Sequence, residues 1–507
     1  MKTKLAIAST ILLALTSLAT AQDPEPIVAI PDANFKNALL AHTPTIDTNG
    51  DGEIQLSEAQ NFTEAITVSG KGIANLTGIE SFVNITGLDC GYNQLTSLDV
   101  SHNTALYYFY CPYNQLTSLD VSHNTALLYF YCYGNQLTSL DVSHNTALLY
   151  FRCQNNKLTS LDVSNNNDLE IFYCHDNQLT SLDVSHNTAL YYFHCERNQL
   201  TSLDVSHNTA LYYFGCENNQ LTSLVLGNNT DLGHFYCHDN QLTSLDVSHN
   251  TALKDFRCHN NQLTSLKLGN NNELKIFYCY NNQLTSLVLG NNTDLGHFYC
   301  HDNQLTNLDV SNNTALNGFY CYGNQLTSLD VSNNTALKYF RCHNNQLTSL
   351  NLKNGHNTSI IASYLNLGDN PNLTCIEVDD VAYSDANWSN KKDATACFSE
   401  NCKPIFDIET NVCQNATAPI LPTSSSNSIS GVWSPATIDI SAVGEQTYTF
   451  TPTSCGRKVE VEITVNPKPV VTLTSDIPVA DNNTICEGGT VKLTASGAVL
   501  YSWTGDG

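Results

Sequence analysis

Thirteen cysteines recur at a constant spacing of 21 residues: Cys90, Cys111, Cys132, Cys153, Cys174, Cys195, Cys216, Cys237, Cys258, Cys279, Cys300, Cys321 and Cys342. A period of this size means a stack of like units, because the chain must bring the same side chain back to the same place in every unit. One unit reads Leu106-Tyr107-Tyr108-Phe109-Tyr110-Cys111-Pro112-Tyr113-Asn114-Gln115, then Leu116-Thr117-Ser118-Leu119-Asp120-Val121-Ser122-His123-Asn124-Thr125-Ala126. Both halves have the form L-x-x-L-x-L-x-x-N, with Phe and Cys replacing Leu in the first. On a short strand, Phe109 and Cys111 point one way and Tyr108, Tyr110 and Pro112 the other. Leu119 and Val121 alternate in the same manner with Ser118, Asp120 and Ser122. Each coil is therefore expected to give one strand to each of two parallel sheets. Asn114 and Asn124 fall where the chain turns inward, and their amides can bond backbone groups that would otherwise be buried unpaired.

In-register cysteines on parallel neighbours have parallel Cα–Cβ vectors, which disfavours disulfide geometry, and thirteen is an odd number. The ladder is read as reduced, buried thiols acting as small hydrophobes beside a large Phe.

This pattern resembles the bacterial leucine-rich repeats of 21 residues, a nested subclass related to the internalin-type repeat of 22, over about residues 62–350. The resemblance implies a mainly β fold: a leucine-rich-repeat solenoid with two parallel sheets, a small helical N-terminal cap, and Ig-like β-sandwich modules behind it. The first coil is longer, with Ile73, Leu76, Ile79 and Phe82 at its apolar positions. Residues 225–244 and 288–307 differ only at Ser244 against Asn307, so the array also carries a three-coil duplication.

The flanks divide by composition. Residues 1–21 have the layout of a secretory signal: Lys2 and Lys4, an apolar run from Leu5 to Leu18, and Ala19-Thr20-Ala21 before Gln22. Residues 22–61 are expected to form an N-terminal cap with an amphipathic helix capped by Asp32. This cap contains Asp47-Thr48-Asn49-Gly50-Asp51-Gly52-Glu53-Ile54-Gln55-Leu56-Ser57-Glu58, which matches a 12-residue EF-hand loop. Asp47, Asn49, Asp51, the Glu53 carbonyl and Glu58 are the candidate ligands of a structural calcium ion. The solenoid is assigned to 62–362 and a C-terminal cap to 363–402, where Cys375 is expected to pair with Cys397 or Cys402. Residues 403–466 resemble an Ig-like module, for which a Cys413–Cys455 disulfide is plausible. A second such module starts at 467 and runs to Gly507; Cys486 has no obvious partner there, and the chain reads as cut short.

Function is argued by comparing coils. The second sheet's outward positions are nearly constant, as at Ser118, Asp120 and Ser122. The first sheet's outward positions vary among Tyr, Arg and His: Tyr110, Tyr131, Arg152, Tyr173, His194, Tyr236, Arg257, Tyr278, Tyr299, Tyr320 and Arg341, with Tyr108, Tyr129, Tyr192, Tyr213, His234, His297 and Tyr339 beside them. Varied Tyr, Arg and His suit recognition, since these residues give large contact area and strong anchors. The competing reading is that the rings only stabilise the ladder by cross-strand stacking. Acidic residues outnumber basic ones 47 to 21, a formal charge of −26, which disfavours nucleic acid and anionic membrane as partners. In the recurrent Cys-His pairs, such as Cys174-His175, one metal cannot readily take both residues, because adjacent strand residues face opposite ways; the His column alone leaves a metal between His238 and His259 as an alternative. No H-E-x-x-H, G-x-S-x-G or phosphate-cradling glycine loop is present. The expectation is an exported, monomeric, non-catalytic binding protein at a cell surface or in the medium. Its ligand is expected to be a protein, with a glycan ligand or a targeting role in a larger exported enzyme as rivals.

Overall fold

The computed structural model describes residues 25–269 and 271–468, together with the backbone of two short antiparallel strands, Thr472–Ser475 and Leu493–Ser496. The expected signal segment, Cys486 and most of the expected second module lie outside the described residues. The structure forms two compact units divided between Leu253 and Lys254.

The first unit begins with helix α1, Ala33–Leu40, whose buried Phe35 and Leu39 lie one turn apart. Asp32 caps it: one carboxylate oxygen accepts from the N–H groups of Asn34 and Phe35, and the other accepts from Ala74 and Asn75 of the first coil. A single side chain thus starts the helix and fastens the cap to the solenoid. Helix α2, Leu56–Asn61, carries a capping box between Gln55 and Glu58.

From Ala65–Thr67 to His234–Tyr236 each coil then contributes a three-residue strand to one parallel sheet. Register is one-to-one across 21 residues, Tyr108, Phe109 and Tyr110 lying beside Tyr129, Phe130 and Tyr131. The ladder continues past each strand, as when the Cys111 N–H donates to the Tyr131 carbonyl at 2.8 Å. Inside, Phe109 stacks on Phe130 with centroids 5.6 Å apart, and each next coil repeats the contact up to Phe214–Phe235. These rings are fully buried, and so are Ile73 and Phe82 of the longer first coil.

Two asparagine ladders close the turns. Asn114 Nδ2 donates to the Cys90 and Cys111 carbonyls, and its Oδ1 accepts from the Leu95 N–H. Asn124 Nδ2 donates to the Val100 and Asn103 carbonyls. Carbonyls that bend away from the sheet are satisfied in this way without water.

The second unit repeats the plan in the strands Asp255–Arg257, Ile276–Tyr278, His297–Tyr299, Gly318–Tyr320 and Tyr339–Arg341, all parallel and in register. The second parallel sheet appears as short pieces. Ser202–Asp204 pairs with Ser223–Val225 in the first unit, and Ser328–Asp330 with Ser349–Asn351 in the second. In both pairs an Asp lies beside a residue other than Asp, Val225 or Asn351. Like charges directly opposite one another weaken pairing, and neither pair sets Asp against Asp.

The C-terminal cap completes this second sheet. Cys375–Glu377 and Cys397–Ser399 add to Ser349–Asn351 in parallel, and Trp388 of helix α3 (Val381–Trp388) is fully buried. The open end of the core is thereby covered.

Next comes a four-stranded sheet in the order Asn411–Cys413, Val459–Asn466, Gly444–Pro452, Gly431–Ser434. Alternation in Tyr448 and Phe450, and in Ile463 and Val465, places these residues in a core with Trp433.

The cysteines here correct one expectation. Cys375 pairs with Cys402, one of the two expected partners, but Cys455 bonds Cys397 and not Cys413, which is exposed and free. The reason is strand register. Cys413 lies beside Asn466 at one end of an eight-residue strand, and Cys455 precedes the other end at Val459. About 25 Å of strand separates them, far beyond disulfide reach. The bond therefore joins the module to the cap.

Candidate binding face

All eighteen Tyr, Arg and His side chains expected to face outward from the first sheet are half-buried, and the Phe and Cys between and beside them are fully buried. Outward side chains from successive coils sit one strand spacing apart, close enough for aromatic contact.

In the first unit these contacts make one continuous row. Tyr110 stacks on Tyr131 at 4.4 Å between centroids. The Arg152 guanidinium lies over Tyr131 at 4.8 Å and over Tyr173 at 4.7 Å. Tyr173 meets His194 edge-on at 4.3 Å. Gly215 occupies the next place, and Tyr213 leans over from the adjoining column to stack on His194 at 4.4 Å and to meet Tyr236 at 5.3 Å. The adjoining column is less regular. Tyr129 and Tyr150 meet edge-on, and Ile171 interrupts the series; beyond it Tyr192, Tyr213 and His234 make looser contacts at 6.1–6.2 Å, and Tyr108 contacts Tyr110 of its own strand.

In the second unit Arg257 lies over Tyr278 at 5.2 Å. Tyr278, Tyr299 and Tyr320 then stack at 4.5 Å intervals, and Arg341 closes the row 5.2 Å over Tyr320. His297 folds beside Gly318, where a Cβ would come within 2.8 Å of its ring, and Tyr339 turns to Tyr364.

A third outward column lies just past the cysteines and was not included in the expected site. His259, Tyr280, His301, Tyr322 and His343 stack consecutively with centroids 4.3–4.5 Å apart. The sequence signal was present: residues two apart on a strand share a face, so the column after Cys faces with the column before it. Weighing the histidines only as metal ligands hid it.

Burial sets the electrostatics of this face. It pushes the Tyr110 and Tyr299 hydroxyls up to about 12, neighbouring tyrosines adding to the effect. It holds His301 down to about 4, with the positive Arg341 and His343 contributing. Tyr110, Tyr299 and His301 are therefore neutral at physiological pH, with arginines set among the rings. On the inner side, burial pushes the ladder thiols well up, as at Cys111 and Cys216, so they are protonated and poor nucleophiles.

The N-terminal loop over residues 47–58 turns at two glycines. Gly50 and Gly52 take left-handed φ of 73° and 81°. Asp47 accepts from the N–H groups of Gly50 and Gly52, Asp51 accepts from Glu53, and Asn49 accepts from Asp51. Glu58 accepts from Thr48, Asn49 and Gln55, and the Glu53 carboxylate pairs with Lys36 at 2.6 Å. The hard oxygen donors fit calcium in kind and order. Asp47, Asp51 and Glu58 are not among the described groups of three donors lying within 4.8 Å of one another.

No protein-family model matches the chain, and no curated protein matches it. Among solved structures it is similar to the functional domain of InlJ from Listeria monocytogenes, which includes a cysteine ladder. The two are 26% identical with a TM-score of 0.54, over 86% of this chain and 97% of that one. It is also similar to the plant peptide hormone receptor RGFR1 in complex with RGF2, at 19% identity and a TM-score of 0.54, over 64% and 61% of the two chains. An internalin, InlF of the same Listeria species, is 21% identical with a TM-score of 0.44, over 76% and 99%. The fold is a leucine-rich-repeat solenoid. The InlJ domain includes a cysteine ladder, and this chain has thirteen buried, free cysteines in its repeats. Among the described residues no helix is long and apolar enough to cross a membrane.

Proposed function

We propose that this solenoid is an exported protein-binding module whose partner docks on the Tyr/Arg/His face of the first sheet. The observation that carries the reading is the contrast between the two sides of one strand. Inside, Phe and Cys repeat without change from Phe109 to Cys342; outside, side chains differ from coil to coil yet, in the row from Tyr110 to His194, stay locked by stacking at 4.3–4.8 Å. A scaffold needs no such variation, and pre-stacked side chains lose little entropy on binding. Protein recognition by a similar solenoid, the peptide hormone receptor in complex with RGF2, supports the same reading. Export is supported by the N-terminal segment and by two disulfides, which persist in oxidising compartments.

A carbohydrate ligand would stack its sugar rings on open aromatic faces. Here the faces of Tyr110 and Tyr131, and those of Tyr278, Tyr299 and Tyr320, are turned on one another, which leaves less open ring face for a sugar and favours a protein. The experiment is a paired screen of the chain against an array of extracellular proteins and a glycan array. The reading expects a protein hit that Tyr131→Ser with Tyr173→Ser weakens at least tenfold while circular dichroism is unchanged. Hits confined to glycans, or hits indifferent to these substitutions, contradict it.

For the N-terminal loop we propose a structural calcium clip, in which Asp47, Asn49, Asp51, the Glu53 carbonyl and Glu58 fix the cap against the first coil. The glycine conformations and the Asp47 contacts to Gly50 and Gly52 support it.

A further inference from the structure

The charged residues of the face differ in one respect. Arg257 is neutralised within the chain, its Nε and Nη2 each donating to Asp255 at 2.9 Å. Arg197 is 3.6 Å from Asp176. Arg152 has no such partner: no ion pair among the described residues includes it, although acidic residues outnumber basic ones 47 to 21. Its guanidinium is held between Tyr131 and Tyr173 at 4.8 and 4.7 Å, and its Nε is buried without a hydrogen-bond acceptor. Beside it, the buried Oε1 of Gln154 also lacks a partner.

A cation stripped of water and left unpaired is costly unless something supplies its counter-charge. The cation–π contacts recover part of that cost. They also fix the plane of the guanidinium, so that its outer edge presents a rigid fork of N–H donors toward solvent.

From this geometry we infer that Arg152 is the specificity-determining anchor of the face, taking a carboxylate of a polypeptide partner in a two-point hydrogen bond. The inference rests on the protein-binding reading above and names its chemistry. A carboxylate is planar and can lie in the plane of the guanidinium, within a slot one guanidinium thick between the flanking rings. A sulfate or phosphate is tetrahedral and sends oxygens out of that plane toward the two tyrosines. Arg341, over Tyr320 and likewise in no ion pair, has the same character in the second unit.

The chain's overall charge makes the test sharp. At −26, non-specific attraction selects basic peptides. Random peptides displayed on yeast are sorted on the intact chain and sequenced, alongside Arg152→Gln, Arg152→Lys and, as a control, Asp120→Asn on the other sheet. The expected result is enrichment of peptides carrying Asp or Glu on the wild-type chain. Arg152→Gln should reduce it at least tenfold, Arg152→Lys should restore it only in part because an ammonium cannot fork, and Asp120→Asn should leave it unchanged. Enriched peptides without an acidic bias, or full activity in Arg152→Lys, overturn the inference while leaving protein binding intact. No peptide enrichment, together with no hit on a protein array, overturns the binding reading itself. Binding of uronate or sulfated oligosaccharides that Arg152→Gln abolishes, with no acidic peptide selected, overturns the polypeptide assignment.

Discussion

Single side chains divide the labour in each coil, and substitutions should separate them. Removing Asn124 takes the second donor from the Val100 and Asn103 carbonyls, which keep only the Asn103 and Leu106 N–H groups, so Asn124→Ala is expected to cost about 1–3 kcal/mol in urea denaturation. Asp120 faces solvent and accepts from the Ser122 N–H at a loop edge, so Asp120→Asn should stay within about 0.5 kcal/mol. His301 supplies a pH signature. Its pKa is about 4 in the fold, against 6.5 when free, so the unfolded chain binds the extra proton first as pH falls. The stability it gives is intact above about pH 6.5 and is lost as pH drops toward 4. Allowing for partial solvent screening, the loss is on the order of 1–2 kcal/mol. His301→Phe keeps the ring between Tyr280 and Tyr322 and should flatten the slope of denaturation midpoint against pH over that window. An unchanged slope would mean that His301 is not held neutral by its surroundings.

At the level of elements, the ends of the solenoid are where chemistry replaces repetition. The clip predicts that calcium raises the melting temperature of the N-terminal part and that chelation at matched ionic strength lowers it by several degrees. Asp47→Asn with Glu58→Gln should abolish the difference, and an unchanged melt in the wild type counts against the ion. At the other end, the Cys397–Cys455 bond joins the cap to the module, whose Arg457 also reaches Ser349 at 2.7 Å. Cys455→Ser should make the segment between cap and module susceptible to limited proteolysis, whereas Cys413→Ser should not. Equal susceptibility of the two variants would return the disulfide to the Cys413–Cys455 pairing suggested by sequence.

Across the chain, what was legible followed from local periodicity, and what was not depended on long-range register. The 21-residue cysteine spacing led to the solenoid, the inward Phe and Cys and both asparagine ladders, and the capping residue Asp32 to the first helix, because each follows from alternation or capping within a few residues. The partner of Cys455 was hidden because strand order, not spacing, decides which ends of a sheet meet. The third ring column was hidden because its histidines follow the cysteines and read as metal ligands, and only alternation carried past the cysteine puts them on the outer face. The second sheet is strand only in short pieces, such as Ser202–Asp204 with Ser223–Val225, a coil-to-coil difference that a consensus unit conceals. All of this turns on which side chains lie within, and the native thiols report it directly. Brief treatment of the folded chain with a small alkylating reagent, followed by peptide mapping, should label Cys413 among the described thiols and leave the thirteen ladder cysteines unmodified until denaturant is added. Labelling of Cys111, Cys174 or Cys279 in the folded state, at a rate near that of Cys413, would reverse inside and outside and remove the proposed binding face.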